Sequence, residues 1–217
     1  NGYSARDSSF ALNLIAPGYL DRQNIEPLLV FTLENVFRNS NFEDFSKEFK
    51  TAFNDSLMSL RKETGKWLKP DEVFTSEPAK AKKSLMLVTT PWCNSGRVML
   101  KTSFSDPAIS GYIDSTYRLI EFNPEIKDTL FYQKEMYHNP GTPTPFHQLA
   151  HYLSRNNLII PTLVILDENL MPLDIIPFYL PPAAVGKISR FYGSGYNQKM
   201  TWQEFLQLPM QNYVVDI

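Results

Sequence analysis

The chain's single cysteine, Cys93, stands in the stretch TTPWCNSGRVML (89–100), after the apolar residues Leu85, Met86, Leu87 and Val88 and before a helix-like segment. A thiol becomes a nucleophile or a metal ligand once it ionises. One cysteine excludes an intrachain disulfide and a cysteine-based zinc site. His147 and His151 are four apart in HQLAH, so on a helix they share a face and two imidazoles could share a metal. The stretch is like the zinc-protease pattern H-E-x-x-H, but Gln148 stands where that pattern has its general base, and no third ligand follows. No metal site and no cofactor are expected. No G-x-S-x-G elbow supports a serine hydrolase. Gly193-Ser194-Gly195 follows a helical segment rather than preceding one, which suits a turn and not a phosphate cradle.

The bulk of the chain sets the frame for these residues. Its 217 residues suit one domain with an extension, or two small domains. With 43% apolar and 20% charged residues a packed core is expected. The formal charge is −2 and no Lys/Arg cluster reaches five, so nucleic acid and anionic membrane surfaces are not expected partners. No apolar run approaches the roughly 18 residues of a membrane span. The first residue is Asn1 rather than Met. A cleaved secretory signal fits this, and the expected setting is exported, periplasmic or cell-envelope, with the cytoplasm as the alternative.

The elements that would position Cys93 follow from periodicity. Residues 1 to about 23 read as a loosely attached arm. A helix is expected over Ile25–Phe37, with Pro27 in its first turn. Phe42, Phe45, Phe49, Phe53, Leu57 and Leu60 recur at spacings of three and four, the stripe of a second helix. Ser40 and Glu43 form its expected capping box and Thr64-Gly65 its stop. Beyond Val73 helices and strands alternate: a short helix over 77–83, strand 85–89, helix 94–101 continuing past Asp106-Pro107 to Ile113, and strand 117–122. After an irregular stretch over 123–145 come helix 147–154, strand 162–167 paired with 173–176, and helix 183–192. A last helix covers about 202–208. The order β-α-β-α-β-α-β-β-α is that of a layered α/β fold. A βα connection as long as 123–146 is functional or disordered. Its Phe131, Tyr132, Tyr137 and Phe146 point to an ordered insertion, serving as a lid or partner surface, or simply packing locally.

LMLVTTPWC followed by helix, strand, helix, then IIPTLVILD, hairpin and helix, resembles the thioredoxin superfamily. SFSDPAISGYI (103–113) and FHQLAHYLSRNNLIIPTLVILDENLMPLDIIPFYLPP (146–182) are similar to exported bacterial thioredoxin-like domains. The resemblance covers about 72–193. It implies a thioredoxin-like three-layer sandwich with a mixed sheet, an N-terminal arm and helical extension over 1–71, and a C-terminal helix and tail over 194–217. It makes Cys93 the attacking cysteine at a helix N-terminus, Trp92 a wall of the substrate groove, and Pro161 the cis-proline that leaves the Ile160 backbone free to pair with a peptide. The chain departs from the pattern twice. Gly96 stands where the resolving cysteine belongs, and Leu87 where many dithiol members carry a buried carboxylate. The expected function is therefore one of two. Cys93 acts alone in mixed-disulfide exchange with protein thiols or peptide clients, needing an outside thiol for release. Alternatively the chain is a non-catalytic module that binds a protein or peptide partner.

Overall fold

The computed structural model describes residues 2–3, 10–11, 21–54, 67–74 and 82–209. A small antiparallel ribbon pairs β1 (Gly2–Tyr3) with β2 (Phe10–Ala11). Helix α1 (Arg22–Leu33) begins at Asp21, whose carboxylate accepts the Asn24 N–H at 3.0 Å. The helix starts earlier than its apolar pattern suggests, so Pro27 lies within it rather than in its first turn. Asn35, at φ 54, turns the chain into a 3-10 turn over Val36–Arg38. This leads to α2 (Phe42–Asn54). The cap of α2 is one residue later than expected: Asn41 Oδ1 accepts the Asp44 N–H at 2.9 Å and Asn41 Nδ2 donates to Asp44 Oδ2 at 2.6 Å. Leu57, Leu60, Thr64-Gly65 and most of the short helix expected over 77–83 fall outside the described residues, and Lys83 opens a strand.

The main sheet begins with β3 (Trp67–Leu68), which runs into the short α3 (Pro70–Phe74). It continues with β4 (Lys83–Val88), then α4 (Asn94–Val98) prolonged by a π-helical turn over Met99–Ser103, α5 (Ser110–Thr116) and β5 (Tyr117–Phe122). The stretch expected to be irregular carries a hairpin of β6 (Leu130–Tyr132) and β7 (Glu135–Tyr137). Its two turn residues, Gln133 and Lys134, both have positive φ (52° and 67°), as the tight turns that match strand twist require. Then follow α6 (Gln148–Leu153), β8 (Thr162–Leu166), β9 (Pro172–Pro177), α7 (Pro182–Gly193) and α8 (Trp202–Leu206).

The sheet order is β3-β5-β4-β8-β9. β3, β5 and β4 run parallel, β8 runs antiparallel to its neighbours β4 and β9, and Leu85 stands opposite both Leu119 and Ile165. Alternate residues of β4 feed two cores. Leu85 and Leu87 face the cluster built with Val98, Met99, Ile113 and Val185, while Met86 and Val88 face the one built with Val73, Tyr132, Leu149 and Leu153. Burial on both faces is why β4 and β8 read as continuous apolar runs rather than alternating ones. Helices thus cover both sides of a mixed sheet, and the fold is thioredoxin-like.

β3 is an outer strand of this sheet, so the sheet starts ahead of residue 72. The helical extension shares its core, because Val30, Phe31, Val36, Phe45 and Phe49 lie in one cluster with Leu85 and Leu87. Phe45 meets Tyr179 edge-on at 5.0 Å between ring centroids, which ties α2 to the loop before α7.

Candidate functional site

Cys93 is the N-cap of α4, where β4 hands the chain to the helix. The register pairs Val88 with Thr162, so Cys93 and Pro161 lie beyond the same edge of the sheet. The Ile160–Pro161 bond is cis. Pro161 is buried, and its carbonyl accepts the Phe178 N–H at 2.8 Å. Ile160 is half-buried, and its backbone makes no hydrogen bond among the described residues. Trp92 stands in the open, 56% exposed, and donates from Nε1 to Glu125 Oε1 at 3.1 Å. It thereby joins the cysteine loop to the 123–146 insertion.

A helix start leaves backbone N–H groups without intrahelical partners, and these favour an anion. At α4 a residue the sequence reading did not single out takes most of that role. Glu34, half-buried at the end of α1, accepts the Asn94 N–H on Oε1 at 3.0 Å and the Ser95 N–H on Oε2 at 2.7 Å. The Cys93 thiol points at the same carboxylate, donating to Oε2 at 3.4 Å. The third N–H, from Gly96, reaches the sulfur itself at 3.4 Å, and Ser95 Oγ lies 3.6 Å from it.

Cys93 is fully buried, with 0% exposure. Burial, and after it the negative charge of Glu34, push its thiol up to about 11, against the lowering contacts of Ser95 and Gly96. An activated cysteine has its pKa moved the other way. Glu34 is legible in the sequence only in hindsight. A carboxylate at a helix C-terminus, with no basic residue in the last turn, sits against the helix dipole, which marks it as serving something else.

Gly96 has a steric reason. A Cβ there would lie 2.1 Å from Thr89 Oγ1 and 3.0 Å from Thr89 Cβ. A cysteine at 96 has no room while Thr89 keeps its place, so replacing Gly96 by Cys does not rebuild a dithiol site. Leu87 is fully buried in the apolar cluster.

The histidines are built into the framework. His147 caps α6: Nδ1 accepts the Leu149 N–H at 3.1 Å, which leaves Nε2 to donate to the Asp128 carbonyl at 3.1 Å. With both ring nitrogens engaged it is the neutral tautomer, and burial above all lowers its pKa. His151 packs its ring 6.4 Å from that of Phe146.

No family model matches the chain, and no curated protein does. The chain is similar to a solved thioredoxin-fold protein from Helicobacter pylori, 14% identical, over 76% of this chain and 94% of that one, with a TM-score of 0.46. The thioredoxin-like assignment stands on this chain's own strand order and register.

Proposed function

We propose that this protein is a thioredoxin-fold binding module whose cysteine is silent at rest, and that it engages a protein partner through the insertion beside Trp92. The observation carrying the first half is the Glu34 carboxylate seated on the α4 N-terminus, against the Cys93 sulfur. A carboxylate and a thiolate compete there for the same donors, and the carboxylate holds them. With Gly96 packed on Thr89 there is also no resolving thiol to complete an exchange cycle.

The second half is supported by what is left in the open. The inward face of the β6–β7 hairpin carries Leu130 and Tyr132, both buried, while the cross-strand pair Phe131 and Met136 faces out at 52% and 63% exposure. Exposed aromatic and methionine side chains on an ordered hairpin are the residue types enriched in interface cores. The exported setting implied by the sequence resemblance belongs to the same reading.

Reaction of Cys93 with an aromatic disulfide reagent at pH 8 tests the silent thiol. The folded protein should react at least a hundredfold more slowly than the same protein in urea. A folded-state rate near that of a free thiol would return Cys93 to the list of exchange catalysts. A photo-crosslinking residue at Met136 should trap a discrete adduct in the producing cells, and one at Lys187 should not. Identical patterns from both positions would contradict the assigned surface.

A further inference from the structure

We propose that Glu34 is an autoinhibitory residue, and that withdrawing its carboxylate from the start of α4 turns Cys93 from a silent thiol into an exchange nucleophile. The proposal rests on the silent resting state argued above and concerns the part of it that Glu34 adds to burial.

The segment 34–39 holds the site's surroundings at three separate points. Glu34 binds the α4 N-terminus. The Arg38 guanidinium lies 4.9 Å from the ring centroid of Phe178, a residue held at φ 72. Asn39 Nδ2 donates to the carbonyls of Pro177 and Tyr179 at 3.2 and 3.1 Å. Because the Phe178 N–H is bonded to the Pro161 carbonyl, the last two grips bear on the loop that carries Pro161. A short turn of the chain therefore spans from the cysteine loop to the proline-side loop, across the edge where Cys93 and Pro161 lie.

The chemistry is a substitution of one anion for another. Asn94 and Ser95 N–H now serve the carboxylate, and the Gly96 N–H already faces the sulfur. If Glu34 swings out, all three donors are free to stabilise a thiolate at the N-cap, and the repulsive charge 3.4 Å from the sulfur is gone. The thiolate then attacks a disulfide: a bond forms from Cys93 sulfur to one disulfide sulfur, the S–S bond breaks, and the other sulfur leaves as a thiolate, the Cys93 proton having passed to solvent. Release of Cys93 requires a second attack by an external thiol on the mixed disulfide.

The test compares wild type with Glu34→Gln, which keeps the shape and loses the charge, and Asn39→Ala, which frees the other end of the turn. The readout is the second-order rate of alkylation by iodoacetamide at pH 8, with iodide as leaving group, alongside circular dichroism to show that each variant is folded. Glu34→Gln should react at least tenfold faster than wild type and Asn39→Ala severalfold faster, both in proportion to reagent concentration. Where Glu34→Gln does not fold, Glu34→Asp, whose shorter side chain withdraws the charge, takes its place. Folded variants as slow as wild type would overturn the proposal and leave the silent thiol intact. A rate independent of reagent concentration would also overturn it, because it would report global unfolding. A fast wild type would instead overturn the resting-state reading.

Discussion

Glu34 Oε2 lies 3.4 Å from the Cys93 sulfur and 2.7 Å from the Ser95 nitrogen, so one carboxylate oxygen faces both the thiol and the helix end that would activate it. The thioredoxin-like framework sets the cysteine where a helix dipole favours a thiolate. The N-terminal extension, packed into the same core, delivers the competing anion.

This arrangement makes stability depend on alkaline pH. The folded thiol, pushed up to about 11, holds its proton after the unfolded thiol, near 9.0, has lost it. The folded state then carries the extra proton, so the contribution is fully present below pH 9 and disappears as pH rises through 11. A shift of this size corresponds to roughly 2–3 kcal/mol. Buried tyrosines such as Tyr132, raised to about 12, add losses of the same sign. The Cys93 share is therefore read as a difference: urea unfolding of wild type should lose stability more steeply than Cys93→Ala between pH 8.5 and 10. Parallel curves would contradict the raised thiol.

Gly96 should be intolerant. Its missing Cβ would meet Thr89 Oγ1 at 2.1 Å, and overpacking of this kind costs about 1–3 kcal/mol. Gly96→Ala should lower the urea midpoint, and adding Thr89→Ala, which removes that oxygen, should recover part of the loss. A neutral Gly96→Ala, or two losses that simply add, would show that the contact is relieved some other way.

The framework was legible in the sequence because its signals are local. The run 85–88, the alternation of elements after it and the phenylalanine stripe of α2 each report burial directly. The insertion's hairpin was not, because Gln133-Lys134 is not the Asn-Gly type of turn that announces one. Glu34 was legible least of all. Its partners are 60 and 61 residues away, at Asn94 and Ser95, and nothing in local spacing encodes a contact of that range. The same distance hid the true surroundings of Cys93: sequence places it at a helix start, but only the tertiary packing of α1 shows which anion that start holds.

His147 should keep its neutral form to lower pH in the folded protein than in the unfolded chain. Its folded pKa is lowered, chiefly by burial, so the unfolded chain takes up a proton first as pH falls below about 6.5, and stability declines there. His147→Ala removes the α6 cap and orphans the Asp128 carbonyl, at a cost of about 2 kcal/mol by chemical denaturation. His147→Asn, which can still cap, should lose less. Equal losses would mean that the cap bond to Leu149 contributes little.

The β6–β7 turn should improve with glycine. Lys134 sits at φ 67, which a side chain tolerates poorly. Lys134→Gly should slow amide exchange in the hairpin and stabilise it by roughly 0.5–1 kcal/mol. Faster exchange would show that the entropy added to the unfolded chain outweighs the relieved backbone.

Burial and Glu34 together should hold Cys93 as a protonated thiol. Because the chain has one cysteine, selective 13Cβ labelling gives a single resonance whose shift follows its ionisation. The titration midpoint should be about 11 in the wild type and lower in Glu34→Gln. A wild-type midpoint at or below the unfolded-thiol value near 9.0 would contradict it.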